Sequence, residues 1–362
     1  MSTTNTRLDT ALKRFRAHEL VDRFRAFITD ASDEQLFHID IGGLARSWSV
    51  NRRMVLELFL RAVRFGVLNL EWAFHCPTCG GVARESLQLS HTHEQDFCPV
   101  CRVDFRNTLD DNVEVFFTIS DEIRPLPAGL RKAYEDVIVS DITTSGVHDW
   151  KTETTISGVE VLNHPVFREV FGDDRLPMDQ SLEIRSATIL FTDVTGSTAM
   201  YERLGDARAY RLIRDHFDLV FSAIAAHNGV PIKTIGDAVM GVFTDELSAL
   251  NATFAMTDAL DESNAERDDG ETIYLKVGIH RGPVIAVTLN DRIDYFGRTV
   301  NIAARTQSVS GPRQVSMLRD FIRSPGVKAA LQTRVGTVQQ KRVNMKGIEG
   351  SVAVYRALLP AP

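Results

Sequence analysis

The chain has 362 residues, of which 44% are apolar and 25% charged, and a formal net charge of −7. That length implies two domains, or three with a small one, at roughly 100–200 residues each, and the balance excludes a mostly disordered, fibrous or collagen-like protein. The acidic excess offers no overall attraction for nucleic acid or anionic membrane. No run approaches the ~18 apolar residues of a membrane span. The stretch from Met1 to Phe15 lacks an apolar core and a cleavage site, so a cytoplasmic protein is expected.

The first quarter reads as helical. Over residues 7–28, Leu8, Leu12, Phe15, Leu20, Phe24 and Phe27 recur at near-helical spacing. Gly42-Gly43 reads as a break. Two short helices are expected around 44–48 and 52–65, with Asn51 as N-cap of the second and Gly66 as its end. A strand follows over 67–74. Helix, tight turn, helix, strand is the order of a winged helix-turn-helix. After the cysteine segment comes a strand at 113–117. From 120 to 179 the pattern weakens, punctuated by Pro125, Pro127, Gly129, Gly146, Gly158, Pro165, Gly172 and Pro177. A domain boundary is placed near 176–181.

The last half is denser in elements. Strands are expected at 184–192, on both sides of Gly236 within 231–243, at 272–279, 284–289, 335–342 and 352–358. Helices are expected at 206–228, 246–260 and from 298. Helices alternating with non-adjacent strands imply an α+β architecture, with helices over a mixed sheet. There is no internal repeat and no low-complexity tract.

The four cysteines form two pairs, Cys76/Cys79 and Cys98/Cys101, each Cys-x2-Cys, with eighteen residues between the pairs. Two such knuckles at this distance predict a structural zinc ribbon over about 74–106. Zn²⁺ takes four thiolates in a tetrahedron, and four cysteines leave no open position for catalysis. Pro77, Pro99 and Gly80-Gly81 supply turns. His91 and His93, between the pairs, read as surface residues with a minor chance of serving as ligands. Free or redox-active thiols are the alternative.

Chemistry-bearing residues cluster in four later segments. In Ile189-Leu-Phe-Thr-Asp193-Val-Thr-Gly196-Ser-Thr198, an apolar strand delivers a carboxylate, then a glycine and small hydroxyl residues open a helix. That arrangement suits a metal-bound phosphate. In Ile232-Lys233-Thr-Ile-Gly236-Asp237, a second carboxylate stands at a glycine turn. Two aspartates at strand ends can share divalent ions for in-line displacement at phosphorus. Each alone also reads as an ordinary turn residue, with Lys233 and Asp237 neutralising each other around the turn. Asn301 and Arg305, four apart on a predicted helix, share a face. Lys346 precedes the glycine turn at Gly347.

In this order, over roughly residues 183–358, the four segments resemble the catalytic domain of the class III nucleotidyl cyclases. The resemblance implies an elaborated ferredoxin-like βαββαβ core in a domain of residues 181–362. It also implies head-to-tail homodimers with active sites at the dimer interface. Asp193 and Asp237, with the backbone carbonyl of Val194, would hold two Mg²⁺ or Mn²⁺. Thr195, Gly196 and Ser197 would line the phosphate site; many family members carry Phe where Ser197 stands. Lys233 would donate to a ring nitrogen of adenine and Asp294 would accept from its exocyclic amine. Asn301 would orient the ribose, Arg305 would stabilise charge at the α-phosphate, and Lys346 would hold the terminal phosphates. The implied reaction is ATP to 3′,5′-cyclic AMP and pyrophosphate. A guanylate cyclase and a catalytically silent nucleotide-responsive regulator are the alternatives.

Residues 1–180 resemble the domain that precedes some bacterial cyclase domains, with Arg168-Glu-Val-Phe171 leading into Leu182-Glu-Ile-Arg185 at the junction. It is expected to regulate, through an unidentified ligand or protein, and to carry one zinc. Arg46, Arg52, Arg53, Arg61 and Arg64 on the helix-turn-helix raise DNA binding, which the acidic chain disfavours. A domain that only packs is the remaining reading.

Overall fold

The computed structural model describes residues 3–14, 18–172, 174–268, 270–335, 337–347 and 350–360; Met1 and Phe15 lie outside them. The chain divides into two units, residues 1–184 with 286–293, and residues 185–285 with 294–362. Among the described residues no helix is long and apolar enough to cross a membrane.

In the first unit the early helical stretch forms two helices, Thr3–Leu12 and Val21–Asp30. Gly42-Gly43 is no break: it lies in the first turn of helix Ile41–Trp48, where Gly43 N donates to Asp40 Oδ1 at 2.8 Å. A Cβ on Gly43 would stand 2.3 Å from Asp40 Oδ2, so the glycine makes room for this cap. Asn51 caps helix Arg52–Arg64, its side chain accepting from Arg53 N at 2.8 Å. The strands that follow are β1 (Leu68–His75), β2 (Val82–Ser86), β3 (Gln95–Cys98), β4 (Val103–Arg106), β5 (Val113–Ile119) and β6 (Ile156–Ser157). They form a four-stranded sheet in the order β2-β1-β5-β6 and a separate β3–β4 pair. Phe59 packs edge-on against Phe24 and Phe117, joining helices to sheet.

The weakly patterned region holds a helix that the sequence does not signal, Gly129–Ser145. Only Ile138 is buried on it, while Val137 and Val139 are exposed, so no apolar stripe marks it. The punctuating Gly129 and Gly146 are its two ends. Arg52 pairs with Glu160, and Arg61 with Glu57 and Glu169. Those arginines are engaged internally.

The second unit is built on β7 (Leu182–Val194), β8 (Val230–Ile235), β9 (Ala238–Phe243), β10 (Leu275–Leu289), β11 (Arg292–Phe296), β12 (Gln314–Leu318), β13 (Val338–Asn344) and β14 (Ser351–Leu358). The sheet order is β13-β14-β12-β10-β7-β9-β8, with β11 on β10. Helices Ser197–Leu204 and Asp206–Ala226 join β7 to β8, and helix Glu246–Ala265 joins β9 to β10. The result is a βαββαβ unit whose strands stand in the spatial order fourth, first, third, second. The two strands expected at 272–279 and 284–289 are one. Within it, at Gly282-Pro283, Thr299 Oγ1 donates to Pro283 O at 2.6 Å, and a Cβ on Gly282 would stand 2.7 Å from Thr299 Oγ1. The dipeptide admits a close neighbour without ending the strand.

Candidate active site and metal centre

The cysteines converge from two knuckles with one backbone form. Gly80 N donates to Cys76 O, and Arg102 N donates to Cys98 O, both at 2.8 Å. Gly80 and Arg102, each just after the second cysteine of its pair, have φ of +72° and +55°. The four Sγ atoms lie within 4.8 Å of one another. Burial, reinforced by the neighbouring thiols, pushes the Cys79 thiol up to about 12. Thiols packed this closely resist ionising together unless a cation stands among them, and a tetrahedral Cys₄ set is an ordinary structural zinc site. The donor set fits Zn²⁺. His91 and His93 are not in the group; their carbonyls accept from Arg84 Nη1 and Asn107 Nδ2.

Sequence reasoning missed what lies beneath the first knuckle. His75 Nδ1 is 2.9 Å from Gly80 O, and His75 Nε2 is 2.9 Å from Glu114 Oε2. Trp150 stacks on His75 with ring centres 3.9 Å apart. Burial alone would raise the Glu114 carboxyl, but hydrogen bonds and charge from His38 and His75 bring it down to about 2. The one available signal was His75 standing next to Cys76.

In the second unit β7 and β9 are antiparallel, with Thr192 opposite Val239. Continuing that register sets Asp193 opposite Ala238 and Asp237 opposite Val194. Both carboxylates therefore stand at one end of one strand pair. Gly236 and Asp237 close the β8–β9 hairpin, and Gly236 has φ +64°, as the first loop residue of a type II′ turn requires. Asp237 Oδ2 is buried without a hydrogen-bond partner. A buried, unpaired carboxylate oxygen is costly unless a cation meets it, so this donor set fits a divalent ion. Lys276 of β10 pairs with Asp193. Thr195 N donates to Tyr274 O at 2.8 Å, Thr195 Oγ1 is buried and unpartnered, and Gly196 caps helix Ser197–Leu204.

Lys233 does not pair with Asp237. Its Nζ lies 2.5 Å from Asp294 Oδ2 and 5.4 Å from the ring centre of Phe296. Asp294 Oδ1 accepts from Tyr295 N at 2.8 Å. A third set forms at helix Arg298–Ser308, where Asn301 is exposed and Arg305 half-buried. A Cβ on Gly347 would stand 3.1 Å from Arg305 Nη2, so the guanidinium lies against the Lys346-Gly347 turn. The chain thus joins Lys233 to Asp294 and Arg305 to the Lys346 turn. Among the described residues no ion pair joins either set to Asp193 or Asp237. Lys276 and Phe296 are additions to the expected site. A lone lysine in the apolar run Leu275-Lys-Val-Gly-Ile was the signal for the first.

The βαββαβ unit with these four segments is an adenylate and guanylate cyclase catalytic domain, whose family model matches residues 180–357. The chain belongs to the family described as "Family of unknown function (DUF5939)", matched over residues 1–231. An adenylate cyclase of Anabaena cylindrica is 32% identical over 185 residues, 47% of this chain and 36% of that protein. Guanylate cyclase soluble subunit beta-2 of Homo sapiens is 28% identical over 183 residues, 48% of this chain and 28% of that protein. The chain thus spans about a third of the length of these curated relatives. Among solved structures, the adenylyl cyclase CyaB from P. aeruginosa is 20% identical with a TM-score of 0.42, covering 50% of this chain and 97% of that one.

Proposed function

We propose that the protein is an adenylate cyclase, converting ATP to 3′,5′-cyclic AMP and pyrophosphate in a homodimer with shared active sites. The observation that carries the base preference is the Lys233–Asp294 pair at 2.5 Å. An ammonium only donates and a carboxylate only accepts. The adenine edge offers an acceptor at its ring nitrogen and a donor at its amine, matching both. Guanine reverses the pattern, with a ring N–H and an exocyclic oxygen.

Asp193, Asp237 and the Val194 carbonyl are the groups that would hold two Mg²⁺ or Mn²⁺, and the unpartnered Asp237 Oδ2 supports this. Bound metal would lower the pKa of the attacking 3′-hydroxyl and neutralise the leaving phosphates. Arg305 is a positioned cation for charge developing at the α-phosphate. Asn301, one turn away, orients the ribose, and Lys346 holds the terminal phosphates. Gly196 and Ser197 offer backbone N–H groups at a helix start, and Thr195, whose N–H is held by Tyr274 O, offers its unpartnered hydroxyl. Residues 1–180 are the regulatory domain and 181–362 the catalytic one, with one structural zinc in the former.

The test is purified protein with Mn²⁺ and either ATP or GTP, the product identified by mass. Cyclic AMP from ATP is expected; cyclic GMP alone, or no product, overturns the reading. Mixing tests the shared site. Asp193→Ala and Arg305→Ala should each be inactive, and equal mixing gives about half heterodimers by random pairing. Each heterodimer carries one intact site, so activity should return. Background activity, with subunit exchange shown by a label, would mean that each chain works alone.

A further inference from the structure

The sheet β2-β1-β5-β6 has two unlike faces. Leu70, Trp72 and Phe74 stand opposite Phe117, Val115 and Val113 on one. The other carries Asn69 opposite Thr118, Glu71 opposite Phe116, and Ala73 between Glu114 and Glu85. Polar faces of antiparallel sheets normally meet water. Here Glu71 is 5% and Thr118 7% exposed. Burying such groups costs free energy that an apolar face would not.

A cavity of about 410 Å³ lies against this face, beside the start of helix Gly129–Ser145. Its charged lining is Glu71, Glu85, Asp121 and Arg131: three carboxylates against one guanidinium. Arg131 is shared, with Nη2 2.6 Å from Glu71 Oε2 and Nη1 on Glu85. Burial pushes the Glu85 carboxyl up, and Glu71 and Glu135 add to the rise against the pull of Arg131. Thr118 also lines the cavity, and its buried hydroxyl has no partner. Phe37, Leu126 and Leu130 supply apolar wall.

What the cavity lacks is a second positive charge. Its volume far exceeds a bare ion and falls in the ~300–1,000 Å³ range of small-molecule sites. Thr118, level with Asn69, stands one same-face step along the sheet from Glu71, roughly 7 Å. A ligand meeting both ends therefore has its charge and a second polar group separated by an apolar body. We propose that the first unit binds a small organic cation here: a protonated amine whose apolar body ends in a second hydrogen-bonding group. The ammonium meets the Glu71–Glu85 end, and the far group meets the opposite end, where Thr118 and, further along the chain, Asp121 stand.

The test is calorimetric titration of the full chain with tyramine and 1,4-diaminobutane, against their uncharged counterparts 4-ethylphenol and 1,4-butanediol, and against KCl. At least one amine should bind at one site per chain, about tenfold or more tighter than its neutral counterpart. Glu85→Gln should weaken it about fivefold or more with unchanged tryptophan-monitored melting. Should Glu85→Gln fail to fold, Asp121→Asn, at an exposed position, decides with 1,4-diaminobutane, whose second ammonium meets that far end. Amines that bind no tighter than their counterparts or than K⁺, or that bind folded Glu85→Gln and Asp121→Asn like the original, overturn the proposal. Binding is read without catalysis, so either result leaves the cyclase reading untouched.

Discussion

The cysteine cluster and the aspartate site differ in how much of each one chain supplies. All four thiols come from the 26 residues Cys76 to Cys101, and their sulfurs already sit within 4.8 Å of one another. No lysine or arginine pairs with them among the described residues. The aspartates come from the ends of β7 and the β8–β9 turn, and the chain brings its own cation to one of them, Lys276 to Asp193. The groups proposed to read base and phosphate stand in separate sets. A site closed within one chain serves stability. A site left in parts, with charges provisionally paired, is suited to completion by substrate and a second copy.

Breaking the cysteine site should have the largest effect. Structural zinc contributes on the order of 10 kcal/mol in small domains, so Cys76→Ser or chelation should cost the first unit at least ~3 kcal/mol. The reporter is direct: Trp48, Trp72 and Trp150 are the only tryptophans, and all lie in that unit. Metal analysis should give about one zinc per chain, as Cys₄ implies. A zinc-free protein with unaltered tryptophan-monitored unfolding would show that the cluster is four thiols only.

The aspartates should behave oppositely. Asp193→Ala or Asp237→Ala should lower cyclisation by ~10-fold or more, about 1.4 kcal/mol in the barrier, and leave folding intact. Removing Asp237 also removes a buried unpaired oxygen, so stability should not fall. Either variant keeping more than about a tenth of the activity would count against the metal assignment.

How legible each region was follows the same division. Cys-x2-Cys spacing encodes a local turn, so all four converging thiols could be read, but not His75 and Glu114 beneath them, which meet across β1 and β5. In the second unit, apolar runs ending in Asp193 and Gly236-Asp237 marked strand ends. The pairing of Lys233 with Asp294 joins residues far apart in sequence, and proximity around the turn pointed to Asp237 instead. Helix Gly129–Ser145 went unread because its buried partners are few and its flanking face is polar. Gly42-Gly43 misled because close approach and chain reversal call for the same residue.

Acid should weaken the first unit more gently. His164, buried in the first unit, caps helix Pro165–Val170 through Nδ1, which accepts from Val166 N at 3.3 Å. Burial first, and then the charge of Arg53, push it down to about 3 from 6.5. Above 6.5 the ring is neutral folded or unfolded. As pH falls from there toward 3, the unfolded chain takes a proton that the folded one refuses. Stability is therefore lost on acidification, at up to about 1.4 kcal/mol per pH unit. His164→Asn keeps a capping acceptor and should flatten that part of the slope in tryptophan-monitored urea unfolding. Equal slopes in both proteins would remove His164 from the account.

The smallest expected effect probes the cation that distinguishes the aspartate site. Lys276 and Asp193 are each about a quarter exposed, 25% and 26%, and partly exposed pairs are worth ~0–1 kcal/mol. A divalent ion approaching Asp193 must share that carboxylate with the ammonium. Lys276→Met should therefore tighten Mn²⁺ binding to the nucleotide-free protein, by no more than about fivefold on that scale. Free Mn²⁺ measured by electron paramagnetic resonance gives the affinity without reference to turnover. Lys276→Arg, which keeps the charge, should stay near the original affinity. If Lys276→Met binds Mn²⁺ more weakly, the lysine holds Asp193 in its ligating position and does not compete for it. The contrast with the cysteine cluster would then rest on the separated sets alone, because both metal sites would be supported by the groups around them.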